Sequence, residues 1–133
     1  MLSSAPPEAL IEILRSSIVQ LVRRDGPDLS ARQLAVLLTC YLAEEAQTVR
    51  GLSAALGVSK PAITRALDRL SEFDLVRRKI DPADRRSVLV QRTVDGLGFI
   101  RDLEAILVDA AGAHTDAPVA PNVRPRLEIH AFS

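Results

Sequence analysis

The chain has 133 residues, 47% hydrophobic and 26% charged, which is the size and make-up of one globular domain with a real core. Aromatic residues are only 3%, so that core has to be aliphatic. A single cysteine, Cys40, excludes an internal disulfide framework and fits a reducing, cytoplasmic setting. The 17 basic and 17 acidic side chains cancel overall but not locally. Between Thr48 and Thr93 ten Lys/Arg stand against five Asp/Glu, a net +5, and the flanks carry the balancing −5. Such a distribution suits a surface for a polyanion, or a solvated face that happens to be basic.

The start lacks a basic stretch followed by an apolar run, so no secretory leader is expected. Pro7 suits the first turn of a helix, and Gly26-Pro27 stops it near Arg24. Leu10, Ile11, Ile13, Leu14, Ile18, Val19, Leu21 and Val22 cover more than one core stripe, which predicts packing on two sides, the second against another subunit. Ser30 with Gln33 three residues on has capping-box spacing and opens a second helix running to about Glu45. Its apolar stretch, Leu34 to Ala43, is too short to span a bilayer and predicts a buried helix.

Thr48 caps a short third helix that ends near Leu56, and Gly57 supplies the turn. Ser59 caps a fourth helix from Lys60 to about Phe73, with Pro61 in the tolerant first turn and a stripe of Ile63, Ala66, Leu67 and Leu70. The period then shortens to about two. Leu75–Ile80 and Ser87–Gln91 read as strands joined by the polar turn Asp81-Pro82-Ala83-Asp84-Arg85-Arg86. Thr93 caps a fifth helix, helped by Asp95, that carries Val94, Leu97, Ile100, Leu103, Ile106 and Leu107 and fades near Gly112.

These elements predict a mainly α (α+β) winged helix-turn-helix, with a two-stranded β-hairpin wing and flanking dimerisation helices. The expected layout is a single domain over 1–112, with a core at 30–93 and flanking helices at 7–24 and 94–111. A proline-containing tail at 113–133 follows, irregular or docked on the partner. In a helix-turn-helix the second helix enters the major groove of DNA. Ser59 and Lys60 at its start reach phosphates, together with free backbone N–H groups. Thr48 and Pro61 belong to the same approach surface. Thr64, Arg65, Asp68 and Arg69 lie at helical spacing on the outer face, Arg65 being the best candidate to fork onto guanine O6 and N7. Ala62 or the Thr64 methyl would meet a thymine methyl. Arg85 and Arg86 at the wing tip suit a narrow minor groove. Asp84 would pair with an arginine such as Arg86 and aim it, and Arg77, Arg78 and Lys79 are phosphate candidates.

With these residues in place the chain resembles the MarR-type winged-helix transcriptional regulators. The matching runs begin with Leu29-Ser30-Ala31-Arg32-Gln33-Leu34 and Thr48-Val49-Arg50-Gly51-Leu52. They continue with Leu56-Gly57-Val58-Ser59-Lys60-Pro61-Ala62-Ile63-Thr64-Arg65 and Leu75-Val76-Arg77-Arg78, then the Asp81–Arg86 turn and Thr93-Val94-Asp95-Gly96. The resemblance spans roughly residues 8 to 110. It implies a homodimer on double-stranded DNA carrying a palindromic operator, with recognition helices in successive major grooves and Arg86 in the minor groove. It also implies an effector, either a small phenolic or lipophilic ligand or thiol oxidation. The chain departs from the pattern at Asp74, where glycine is usual, and in its shorter fifth helix with no sixth. Cys40, inside an apolar run, reads as a buried structural thiol more than a sensor.

No enzyme or cofactor is expected. His114 and His130 both fall in the tail, no Cys/His cluster has zinc spacing, and no glycine loop cradles a phosphate. The competing reading is a winged-helix protein-interaction module that has lost operator binding.

Overall fold

The computed structural model describes residues 5–116, and their side chains up to Ala113. Five helices and three strands follow in the order α1 (Pro7–Arg23), α2 (Ala31–Leu42), β1 (Gln47–Thr48), α3 (Val49–Leu56), α4 (Lys60–Glu72), β2 (Val76–Ile80), β3 (Val88–Arg92) and α5 (Val94–Asp116). The fold is mainly α, with one antiparallel sheet ordered β1-β3-β2.

Local chemistry accounts for the helix starts. The Ser30 hydroxyl accepts from the Gln33 N–H at 3.1 Å while Gln33 Oε1 accepts from the Ser30 N–H at 2.9 Å, a complete capping box. Thr48, Ser59 and Thr93 each accept a backbone N–H three residues on, from Gly51, Ala62 and Gly96. Gly57 ends α3 in the left-handed region at φ 66°, which glycine adopts without penalty. Asp74 takes the same hand at φ 57° after α4, so the aspartate fills a position that favours glycine.

Contacts divide the chain into two compact units. The central unit is 25–103, and the flanking unit joins residues 5–24 to residues 104–116. The central core is aliphatic, with Val36, Leu37, Leu52, Ile63, Leu67, Leu70 and Val76 fully buried. Its one phenol, Tyr41, stitches separate backbone segments together. The hydroxyl donates to the Leu75 carbonyl at 2.7 Å and accepts from the Thr93 N–H at 3.0 Å. Gly96 lies so close that an added Cβ would stand 1.7 Å from the Tyr41 Oη and 2.3 Å from the Leu75 carbonyl oxygen.

In the flanking unit Ile13 and Ser17 of α1 are buried, as is Ala110 of α5. The Ser17 hydroxyl is satisfied by the Ile13 carbonyl at 2.7 Å, and Gln20 donates to the Asp109 carboxylate at 3.4 Å. Leu10, Leu14, Ile18 and Val22, four residues apart, remain exposed as a stripe with Ile11 beside it, and Leu107 and Val108 are exposed on α5.

Three expectations change. The sheet has a third strand, β1, which pairs Gln47 with Val90 and Thr48 with Leu89. α5 does not fade at Gly112 but continues to Asp116, because one glycine costs only about 1 kcal/mol and its neighbours are the strong helix formers Ala110, Ala111 and Ala113. The buried face of α5 is Gly96, Phe99, Ile100, Leu103 and Ala110, leaving Val94 and Leu97 exposed. The tail expectation, apart from its first four residues, lies outside the described residues, and so does His130.

Candidate nucleic-acid interface

The buried stripe of α4 is Ala62, Ile63, Ala66, Leu67 and Leu70. Ala62 is therefore a core residue, only 6% exposed, and its methyl is not available to a thymine. A residue in the first helical turn looked accessible from sequence, but the helical period carries position 62 onto the same side as 66 and 70. Ser59, Lys60, Pro61, Thr64, Arg65, Asp68 and Arg69 form the exposed opposite side. The side chains of Lys60, Thr64 and Arg65 have no hydrogen bond or ion pair to any described residue. Arg65 thus projects from α4 with its five donors uncommitted.

Arg69 is differently placed. Its guanidinium pairs with Glu72 at 3.0 Å and lies over the Phe73 ring, 4.6 Å from the centroid, which draws it toward the C-terminal end of its own helix.

On the wing, alternation along β2 sorts three consecutive cations. Arg77 and Lys79 point to one face and are exposed without a partner among the described residues. Arg78 shares the other face with buried Val76 and with its register partner, buried Val90. There its Nη1 meets the Asp68 carboxylate of α4 at 2.7 Å.

The wing tip is shaped by two aspartates. The Asp81 carboxylate accepts from the Ala83 N–H at 2.9 Å. The Asp84 carboxylate accepts from the Arg86 N–H at 3.1 Å and from the Ser87 hydroxyl at 3.2 Å. These are side chains folding their own turn. Asp84 does stand near the Arg86 guanidinium, at 3.7 Å, yet Arg86 is 93% exposed. Arg85 is exposed with no partner among the described residues.

Two arginines change roles relative to the sequence reading. Arg92, counted in the basic middle, donates from Nε to the Cys40 carbonyl at 3.2 Å and from Nη2 to the Ala43 carbonyl. It finishes the C-terminal end of α2, where a cation is favoured. Arg50, not among the sequence candidates, is exposed in the first turn of α3 with no partner among the described residues. Its signal was available, since the helix preceding the recognition helix crosses the backbone.

At the wing base an open groove of about 320 Å³ is lined by Asp74, Arg77, Arg92, Thr93, Val94 and Asp95. Cys40 is buried, and burial pushes its thiol up to about 11 despite the opposing charge of Arg92. That is the opposite of what thiolate chemistry needs. Among the described residues no group of three or more His, Cys, Asp or Glu is arranged to hold a metal ion. No helix there is long and apolar enough to cross a membrane.

A trihelical core, a glycine turn, an outward recognition helix and a hairpin with a basic tip together define a winged helix-turn-helix. The MarR family model matches residues 29–88. Solved structures share the fold. The MepR–DNA complex of S. aureus is 18% identical with a TM-score of 0.64, over 80% of this chain and 82% of that one. A MarR transcriptional regulator from Methanosarcina mazei is 23% identical with a TM-score of 0.59, over 84% and 74%. A transcriptional regulator from Thermotoga maritima is 22% identical with a TM-score of 0.58, over 81% and 68%.

Proposed function

We propose that this protein is a sequence-specific DNA-binding transcriptional regulator, not an enzyme, acting as a homodimer on a palindromic operator. The observation that carries this reading is the pattern of uncommitted cations. Arg50, Lys60, Arg65, Arg77, Lys79 and Arg85 have no side-chain partner among the described residues, and they stand on elements whose own turns and caps are internally satisfied. In this reading α4 enters the major groove with Arg65 on base edges and Thr64 beside it. Lys60 and the N–H groups around Ser59 and Pro61 hold phosphates, with Thr48 and Arg50 flanking. Arg85 and Arg86 enter the minor groove, and Arg77 and Lys79 anchor the backbone. The MepR–DNA complex, which shares the fold, supports DNA as the partner.

The exposed apolar stripe of α1 and Leu107 and Val108 of α5 supply the dimer surface in this reading. An effector completes the picture as a small molecule of unspecified chemistry. Titration onto the duplex upstream of the protein's own gene tests it. Binding that weakens linearly in log K against log salt, with a slope of about −0.9 per neutralised phosphate, is expected. A folded protein that shifts no duplex even at low salt would instead mark a protein-interaction module.

A further inference from the structure

Among the ion pairs given above, Arg69–Glu72 and Arg86–Asp84 each link residues two or three positions apart within one element or turn. Arg78–Asp68 joins the wing to the recognition helix. It is also the arginine of β2 that alternation turns inward, on the face of Val76 and Val90, and its side chain is 32% exposed. Asp68 is an acid on the outer face of α4, beside Thr64 and Arg65, where a polyanion would approach. By charge alone it opposes binding. Its position becomes reasonable if it works on Arg78.

We propose that Asp68 and Arg78 form a clasp that holds the wing in fixed register with the recognition helix. This makes Asp68 a positioning residue and places Arg78 in the clasp before it touches any phosphate. Among the described strands β2 bonds only to β3, and beyond Val76 each residue of β2 is exposed. The outer wing therefore has little apolar packing to fix its angle. A charged hydrogen bond at 2.7 Å between β2 and α4 supplies that fixation. The two grooves of a duplex are at set distances, so a wing free to swing would have to be ordered at each encounter, at an entropic cost. The clasp orders it beforehand. The inference rests on the DNA-binding reading for its consequence, but not for its structural content.

The sign of one substitution separates clasp from simple charge. Asp68→Asn removes an acid from the DNA face, so electrostatics alone predicts tighter binding to every duplex. The clasp predicts weaker operator binding, by about two- to fivefold, the range for an exposed ion pair. Anisotropy titrations of Asp68→Asn, Arg78→Gln and the double variant on operator and on random duplex of equal length read this. Amide hydrogen exchange of residues 81–86 is followed in the free proteins.

Expected are weaker operator binding for Asp68→Asn, a double variant no worse than the worse single, faster wing exchange in each variant, and near wild-type behaviour in Arg78→Lys. Tighter binding by Asp68→Asn on both duplexes, additive losses, or unchanged wing exchange would overturn the clasp. A loss confined to operators with one particular cytosine would also overturn it, because Asp68 would then be reading a base. If the wild type binds no duplex, the DNA reading fails by itself, and wing exchange still decides the clasp.

Discussion

The two units of this chain treat their apolar residues in opposite ways. In the central unit a set of large aliphatic side chains is fully buried, with Leu42, Ile80, Val94 and Leu97 left exposed on three different elements, and the outward positions of α4 and the wing are mostly polar or charged. In the flanking unit Leu10, Ile11, Leu14, Ile18 and Val22 line the outside of α1, which buries only Ile13 and Ser17. The difference teaches that the central unit closes a core of its own and carries charge on much of its outer surface. The flanking unit leaves an apolar stripe that water does not favour and that a second copy would cover.

The comparison breaks most severely at Gly96. An alanine there drives a methyl into the Tyr41 hydroxyl and the Leu75 carbonyl, and backbone cannot yield as a side-chain end can. Loss of about 3 kcal/mol or more is expected, enough to lower the melting midpoint by many degrees in a thermal unfolding scan. A midpoint within two or three degrees of wild type would show that α5 is not stitched to Tyr41 as described.

Ile18→Glu probes the other unit. It should leave the fold intact and raise the dimer dissociation constant about ten- to a hundredfold, roughly 1.4–3 kcal/mol, read by sedimentation across a concentration series. An unchanged dimer would place the interface elsewhere. A wild type that sediments as a monomer at micromolar concentration would remove the dimer altogether.

On the cationic side, Arg65→Ala and Arg86→Ala should each weaken operator binding by about 1–3 kcal/mol with unchanged melting. Arg65→Ala should lose more on operator than on random duplex. Equal losses on both would make Arg65 a phosphate contact.

The smallest effect is at Cys40. Its thiol is raised to about 11 by burial, whereas an unfolded thiol ionises near 9. The unfolded chain therefore releases its proton first as pH climbs, so stability from this group is present below about pH 9 and declines between about 9 and 11. Comparing denaturation midpoints of wild type and Cys40→Ala across that window isolates it. Parallel pH profiles would mean the thiol is not held neutral by the fold. Thiol-reactive reagents should likewise label the folded protein slowly.

What the sequence made legible is what is local. Caps at Ser30, Thr48, Ser59 and Thr93 act within three residues, and the left-handed turn at Gly57 needs only itself, so all were readable in advance. Asp74 was readable too, as a residue that tolerates left-handed geometry. What was not legible depends on residues far apart in the chain. β1 is two residues long, too short to show alternation, and exists because β3 offers an edge. Arg92 looked like one more cation until α2 and β3 were brought together, and Arg78 until β2 lay beside α4. The inward face of α5 was misjudged because Gly96, carrying no hydrophobic side chain, marks the closest approach.

Tyr41 also gives the protein an internal reporter. It is the only tyrosine, and there is no tryptophan, so all phenol emission comes from the point where α2 meets the Leu75 carbonyl and the Thr93 N–H. The tyrosine absorption and emission bands of the unlabelled protein therefore speak for one joint, at the root of the wing and the start of α5. Any event that loosens that joint, whether heating, a bound effector or a duplex seated on the wing, becomes visible as a change at a single residue.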